Sequence, residues 1–155
     1  MGEQPDRAGV IFPPPALMLL ALIAAIALHH FWPLPAAPKA LAVALGAAFS
    51  VFGIGIAAWG RITLVKGGTN VSPYKPTTSI ISGGPFGFTR NPLYVGIQSL
   101  FVGLSLLLGT WWGLVLLLPA FLILHYGVVL REEAYLERRF GRVYLSYKSK
   151  VRRWL

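Results

Sequence analysis

The sequence predicts an all-α integral membrane protein, a bundle of four transmembrane helices with a loop and a C-terminal amphipathic helix at one end. Of its 155 residues, 55% are hydrophobic and only 12% are charged, whereas about a quarter of a soluble domain is charged. A soluble chain of this length could not bury so much apolar surface in one core. The charges also lie between and beyond three long uncharged stretches. The whole chain is therefore interpreted as a single membrane domain, residues 1–155.

The uncharged stretches define the crossings. The first follows three consecutive prolines, which suit a helix start because proline needs no hydrogen-bond partner for its nitrogen there. The third, residues 91–130, is long enough for two crossings, since about 20 residues span the hydrocarbon core. Its natural break is Gly109. The predicted crossings are residues 14–32, 40–60, 92–109 and 111–130.

The second crossing is rich in small residues, which favour close contact between membrane helices. These residues are Ala47, Ala48, Gly53, Gly55 and Ala57. They would serve packing within the bundle and dimer formation equally well, so the oligomeric state stays open.

The basic residues predict the orientation. With four crossings, Lys39 lies on one side and every other lysine and arginine, from Arg7 in the N-terminal tail onward, lies on the opposite side. The positive-inside rule places both termini and the loop 61–91 in the cytoplasm. The net charge of +9 then predicts anionic lipid headgroups, rather than nucleic acid, as the partner.

The loop 61–91 contains many glycines and prolines, which alone would suggest a solvated connector. It also carries six apolar or aromatic side chains: Val71, Tyr74, Ile80, Ile81, Phe86 and Phe88. We therefore predict that it packs on the membrane face of the bundle and lines a site.

The C-terminal residues 131–154 have the pattern of an amphipathic helix with a bend at Gly141. Apolar and aromatic side chains recur there every three or four residues, with basic residues between them: Leu136, Phe140, Tyr144, Tyr147 and Val151.

Two short motifs predict a pocket. Asn91 and Pro92 suit the N-cap and first position of a helix, whose N-terminus attracts anions. Glu132 and Glu133 follow the fourth crossing and would attract a cation. Because the third and fourth crossings form a hairpin, both motifs lie at the same end of the bundle. The pocket would therefore suit a zwitterionic ligand, although local ion pairing is the simpler role for the glutamates.

His125 lies inside the fourth crossing, where it either accepts a proton or packs as a buried polar residue; the second role is favoured. The chain has no cysteine and no metal-ligand spacing, phosphate-binding loop or nucleophile elbow. No metal is expected.

The run from Ser82 to Gly96, SGGPFGFTRNPLYVG, together with Glu132-Glu133, Phe140-Gly141, Tyr144, Tyr147 and the VRRW segment, resembles the isoprenylcysteine carboxyl methyltransferase and phospholipid methyltransferase superfamily. The resemblance covers residues 67–155, including the segments around Gly68 and Pro76. It does not extend to the first two predicted helices and so implies nothing about them.

The resemblance implies S-adenosyl-L-methionine as cofactor on the cytoplasmic side and a lipophilic acceptor that enters from the bilayer. The implied cofactor-binding residues are Gly84, Pro85, Phe88, Asn91, Pro92, Tyr94, Gly96, Glu132, Glu133, Tyr144 and Tyr147. The catalytic candidates are Arg90, His125, Glu133 and Arg152. An arginine would orient a carboxylate or thiolate acceptor, whereas an amine would need a base.

Two positions differ from the superfamily pattern. Asn91 replaces the usual histidine, so no imidazole acts there, although asparagine still caps a helix. Gly87 replaces a common arginine. Both differences concern the acceptor more than the cofactor.

Two alternatives remain. A sterol-reductase-like enzyme would use NADPH, but such enzymes have many more helices. A small membrane transporter or scaffold would be expected to bury an ionisable residue at mid-bilayer, and only His125 fits that description.

Overall fold

The computed structural model describes residues 8–36, 38–72 and 74–155, so Arg7, which entered the orientation argument, lies outside the described part. The described residues form helices and no strand. The α-helices are α1 (Pro14–Phe31), α2 (Lys39–Lys66), α3 (Pro92–Leu107), α4 (Trp112–Leu124), α5 (Leu130–Phe140) and α6 (Arg142–Lys150). A short 3₁₀ turn, Gly84–Gly87, precedes α3, and a π-helical turn, His125–Val129, joins α4 to α5.

Three helical segments of the described chain are long and apolar enough to cross a membrane: α1, α2 and the continuous helix Trp112–Phe140. The chain is therefore an integral membrane protein, and its predicted all-helical class is confirmed. Helix α3 is apolar but has only 16 residues, or about 24 Å of length. The fourth crossing stays a prediction.

Two helices extend beyond their predicted ends. Helix α2 continues past residue 60 to Lys66, and the last crossing continues through the π-helical turn to Phe140. The sequence boundaries had been placed at the first charged residue, which marks the edge of an apolar stretch rather than the end of a helix. Gly141 provides the break before α6 because it adopts a φ of 49°, a left-handed conformation that glycine tolerates.

The turn between α3 and α4 lies at the predicted break. Gly109 has a φ of 72°, and Thr110 is buried. The Nε1–H of Trp112 donates a hydrogen bond of 2.7 Å to the carbonyl of Trp32. This hydrogen bond joins the turn to the C-terminal end of α1.

Helices α2 and α3 pack with their backbones in contact. A Cβ atom on Gly53 would lie 2.6 Å from the carbonyl oxygen of Gly96, and one on Gly46 would lie 2.9 Å from the carbonyl oxygen of Gly103. Of the small residues noted in the sequence, Gly53 and Ala57 make this contact, whereas Gly55 has no neighbour within 4 Å. This packing fixes the start of α3 against α2.

We expect Gly53→Val to lower the free energy of unfolding by about 1–3 kcal/mol, because the new side chain must displace the backbone of α3. Gly55→Val is the matched control, since it adds the same β-branched residue to the same helix in open space. Denaturant titration in detergent measures both. Equal stability of the two variants would contradict the packing.

Candidate functional site

An open cavity of about 140 Å³ lies where α3 begins and α5 leaves the bundle. The loop after α2, the first turn of α3, and helices α5 and α6 line it. The loop therefore lines a cavity at this end of the bundle. The predicted site residues that line the cavity are Arg90, Asn91, Pro92, Tyr94, Glu132, Glu133, Tyr144 and Tyr147.

Glu133 is surrounded by three cations. Its side chain is 7% exposed and accepts two hydrogen bonds from Arg153, from Nε at 2.8 Å and from Nη2 at 2.9 Å. Arg90 Nη2 lies 3.2 Å from one carboxylate oxygen and Lys148 Nζ lies 3.9 Å from the other. Glu133 therefore links α5 to the segment before α3, to α6 and to the C-terminal segment.

The C-terminal segment docks beside the start of α3. The backbone N–H of Arg90 donates to the carbonyl of Arg152 at 2.9 Å. The hydroxyl of Thr89 and the side-chain amide of Asn91 both donate to the carbonyl of Arg153 at 3.0 Å. Consecutive side chains of an extended segment point to opposite sides, so Arg153 reaches Glu133 while Arg152 is exposed.

The structure places the two arginines of this segment differently. Arg152 does not line the cavity and contributes a backbone carbonyl, whereas Arg153 makes the ion pair that the sequence analysis did not assign. The pattern of two adjacent arginines gives no signal for which side chain points inward.

We expect Arg153→Gln to lower the free energy of unfolding by about 1–2 kcal/mol, because it removes a charge-assisted pair from a partly exposed position. It should also speed carboxypeptidase digestion of the tail. Arg152→Gln is the matched control, because its backbone carbonyl is retained. The docking would be refuted if both variants resisted digestion equally.

Glu132 differs from its neighbour. Tyr94 Oη donates a hydrogen bond of 2.7 Å to Glu132 Oε1, and no cation within the described ranges forms an ion pair with this carboxylate. Glu132 lines the cavity. It is therefore the carboxylate available to a cationic ligand group.

Arg90 supplies the opposite charge. Its side chain is 8% exposed, and its Nε and Nη1 atoms are buried without a hydrogen-bond partner in the described part of the chain. Buried donors are nearly always paired, and an unpaired one costs about 1–3 kcal/mol. An anionic group in the cavity would accept a hydrogen bond from one of these two nitrogens.

Asn91 is the N-cap residue of α3, as predicted, but its side chain does not cap the helix. The backbone N–H groups of Tyr94 and Val95 both donate to its carbonyl at 3.0 Å, and Pro92 has no N–H. The helix start therefore offers few amides to a ligand. The guanidinium of Arg90 is the stronger anion donor at this end.

Three tyrosines complete the cavity wall. Tyr147 Oη donates to the carbonyl of Phe86 at 2.8 Å, and Tyr135 Oη accepts the backbone N–H of Thr77 at 3.2 Å. Burial, reinforced by Glu133, raises the pKa of Tyr144 to about 12, and burial also raises the pKa of Tyr147. Tyr144 and Tyr147 are therefore protonated near neutral pH.

Sequence reasoning assigned no role to several residues of the wall. They are Thr69, Asn70, Thr77 and Tyr135. The polar loop residues belong to the segments beginning at Gly68 and Pro76 that formed part of the resemblance, which was the available signal. Nothing in the amphipathic pattern distinguished Tyr135 from the other aromatic residues of the tail.

Four predicted site residues lie elsewhere. Gly84 and Pro85 form the 3₁₀ turn, and the side chain of Phe88 is 71% exposed. Gly96 packs against Gly53 on α2. None of them lines the cavity beside Arg90.

His125 also lies apart from that cavity. Its ring stacks on Phe121 at 5.7 Å and lies 6.0 Å from the ring of Trp154. Its Nδ1 atom is buried without a hydrogen-bond partner among the described residues. The surroundings are those of a packed aromatic cluster.

A second, largely apolar cavity of about 690 Å³ lies between the prolines at the start of α1 and the faces of α2 and α3. Four residues border both cavities: Val71, Ser72, Leu93 and Tyr94. Tyr94 thus stands between a charged cavity and an apolar one.

The chain was compared with known proteins. A family model described as phospholipid methyltransferase matches residues 41–143, from α2 into α6. An uncharacterized protein of Haemophilus influenzae is 36% identical over 66 residues, which make up 41% of this chain and the whole of that protein. No solved structure matches.

Proposed function

Since this chain belongs to the phospholipid methyltransferase family, within the isoprenylcysteine carboxyl methyltransferase-like superfamily, we propose that it transfers the methyl group of S-adenosyl-L-methionine to a lipophilic acceptor in the membrane. The observation that carries this proposal is one cavity with two buried, unpartnered N–H groups of Arg90 and a carboxylate, Glu132, that no described cation pairs with.

The cofactor fits this arrangement of charges. Its methionyl end bears a carboxylate and an ammonium group. Arg90, through Nε or Nη1, would hold the carboxylate, and Glu132 would hold the ammonium.

When bound, S-adenosyl-L-methionine supplies an electrophilic methyl group on a sulfonium sulfur. The protein contributes mainly positioning, which can lower a barrier by several kcal/mol. The ion pair with Glu133 holds the Arg90 guanidinium in position. The unpartnered N–H groups of Arg90 are therefore oriented before a ligand binds.

The apolar cavity is the proposed acceptor site. Its lining is mainly aliphatic, and it meets the charged cavity at Leu93 and Tyr94. An acceptor with an exchangeable proton would need a base, and the Tyr94 hydroxyl, which borders both cavities and donates to Glu132, would pass such a proton on to that carboxylate. His125 is removed from this junction.

We also propose that α3 is the fourth crossing and that the cavity of Arg90 opens to the cytoplasm. Close packing of α3 along α2 supports the first point, and the positive-inside rule supports the second. The exposed basic residues of the C-terminal segments would then face anionic headgroups of the inner leaflet. They include Arg138, Arg142, Lys150 and Arg152.

Methyl-labelled S-adenosyl-L-methionine, incubated with purified protein in vesicles of bacterial lipid extract, tests the activity. We expect label in the organic phase, and S-adenosylhomocysteine should suppress it. Label that stays entirely in the aqueous phase would contradict transfer to a lipophilic acceptor. NADPH oxidation in a parallel sample would instead favour a reductase.

A further inference from the structure

The segment before α1, residues 8–12, lies along the helix that leads from α4 into α5. The backbone N–H of Ile11 donates a hydrogen bond of 3.1 Å to the carbonyl of Gly127. Four residues later on that helix, Arg131 Nη1 donates a hydrogen bond of 3.2 Å to the carbonyl of Gly9. Residues 8–12, called the strap below, are therefore tied across this helix at two points.

The π-helical turn His125–Val129 provides the first of these points. In it, the backbone N–H of Leu130 donates to the carbonyl of His125, five residues earlier. Such turns are rare and occur frequently at functional sites. None of its residues lines the charged cavity of Arg90 and Glu132 or the apolar cavity. Contact with the strap gives this turn a role outside both cavities.

The strap forms part of the wall of the charged cavity. Ala8 is 8% exposed and lines that cavity together with Glu132. Glu132 directly follows Arg131, whose side chain bonds the strap. The strap therefore lies beside the carboxylate that we propose as the ammonium ligand. It lies outside the residues 41–143 of the family match and outside the motifs of the resemblance.

The two ends of the strap are held differently. At its C-terminal end the chain enters α1 through Pro14, which is buried. Towards its other end, Gly9 is exposed, has a φ of 60° and has open space around the Cα atom, so its backbone can rotate at little cost. The hydrogen bond from Arg131 to Gly9 is also exposed. Loss of this one bond would free the end of the strap that covers the cavity.

We propose that the strap closes the charged cavity, that it lifts to let the methyl donor and its product exchange, and that Arg131 is the positioning residue that holds it closed. Lids of this kind commonly open through a few residues that absorb the change in φ and ψ. The inference rests on the proposed function in naming the molecule that passes. It deepens that function by adding the N-terminal segment to the cofactor site.

Thiol labelling tests the lifting of the strap without any ligand. The chain has no cysteine, so Ala8→Cys introduces a single thiol. A maleimide attached to polyethylene glycol is too bulky to enter the closed cavity, and its reaction with protein in neutral maltoside micelles is followed as a gel shift. We expect labelling about 3- to 10-fold faster when Arg131→Gln is added, the factor that corresponds to one hydrogen bond.

Arg138→Gln is the matched control, because Arg138 is an exposed arginine of the same helix α5 and does not bond the strap. It should leave the labelling rate of Ala8→Cys unchanged. Equal labelling rates in the Arg131→Gln and Arg138→Gln backgrounds would overturn the assignment of Arg131.

A reversible disulfide tests what the strap controls. A Cβ atom on Gly127 would lie 3.9 Å from the Cβ atom of Ile11, within the range of about 3.5–4.5 Å that disulfides span. Ile11→Cys combined with Gly127→Cys therefore locks the strap when oxidised and frees it when reduced. Radiolabelled S-adenosylhomocysteine is bound first, the protein is oxidised, and unlabelled ligand is added. We expect oxidation to slow dissociation about tenfold or more, and dithiothreitol to restore the rate.

Each single-cysteine variant, oxidised in the same way, should dissociate at the rate of the reduced double variant. Equal dissociation rates for the oxidised and reduced double variant would overturn the inference. The two proposals can fail separately. Absence of S-adenosylhomocysteine binding by the folded, reduced protein would contradict the proposed function, whereas the labelling of Ala8→Cys requires no ligand and decides by itself whether Arg131 holds the strap closed.

Discussion

Glu133→Gln is expected to lower the free energy of unfolding by about 3–5 kcal/mol, the usual cost of leaving a buried charge unpaired. Arg90 is nearly fully buried and Glu133 is its ion-pair partner, and Arg153 loses two charge-assisted hydrogen bonds in the same variant. Denaturant titration in detergent measures the loss. Binding of S-adenosylhomocysteine should disappear as well, since Arg90 is no longer held in place.

Glu137→Gln is the matched control for this variant. Glu137 lies on the same helix and pairs with Lys148, but its side chain is 35% exposed. Its replacement should change stability by less than about 1 kcal/mol. Similar stabilities for Glu133→Gln and Glu137→Gln would show that the cluster of cations does not depend on Glu133.

Glu132→Gln should have the opposite profile: near-wild-type stability and an affinity for S-adenosylhomocysteine reduced about 10- to 100-fold. The reduction corresponds to one hydrogen bond to a charged group, about 1.5–3 kcal/mol. Glutamine can still accept the hydrogen bond from Tyr94, so the fold keeps its contact while the negative charge is lost. Calorimetric titration gives the affinity, and thermal unfolding of the same sample gives the stability.

Tyr94→Phe is the control that removes the hydrogen bond to Glu132 and keeps the charge. It should bind S-adenosylhomocysteine more tightly than Glu132→Gln does. Wild-type affinity in a folded Glu132→Gln variant would mean that the ammonium group is bound elsewhere and that the two glutamates have been assigned the wrong roles.

The different roles of Glu132 and Glu133 could not be predicted from the sequence. The pair was identified as a cation-binding motif, but a helix turns about 100° per residue, so adjacent side chains face different surroundings. The docking of the C-terminal segment determines which of the two glutamates forms ion pairs with Arg90 and Arg153. That docking joins residues more than sixty positions apart in the chain, which no local pattern reports.

Other features could be predicted because they are local or set by the membrane. The absence of charge over long stretches gave the helical membrane class, and the prolines and Gly109 gave helix starts and a turn. The ordered motifs from Ser82 to Gly96 and at Glu132 gave the superfamily, which the family match confirms. Gly96 belongs to that motif but packs against α2. The sequence could not distinguish these roles, because a glycine is needed both where a ligand approaches the backbone and where another helix does.

The most direct test of the account is calorimetric titration of the detergent-purified wild-type protein with S-adenosylhomocysteine, with NADPH as a parallel ligand. We predict saturable binding of S-adenosylhomocysteine at one site, no binding of NADPH, and a strongly weakened isotherm for Glu132→Gln. The absence of saturable S-adenosylhomocysteine binding by folded wild-type protein would contradict the proposal that the cavity between Arg90 and Glu132 binds the methyl donor.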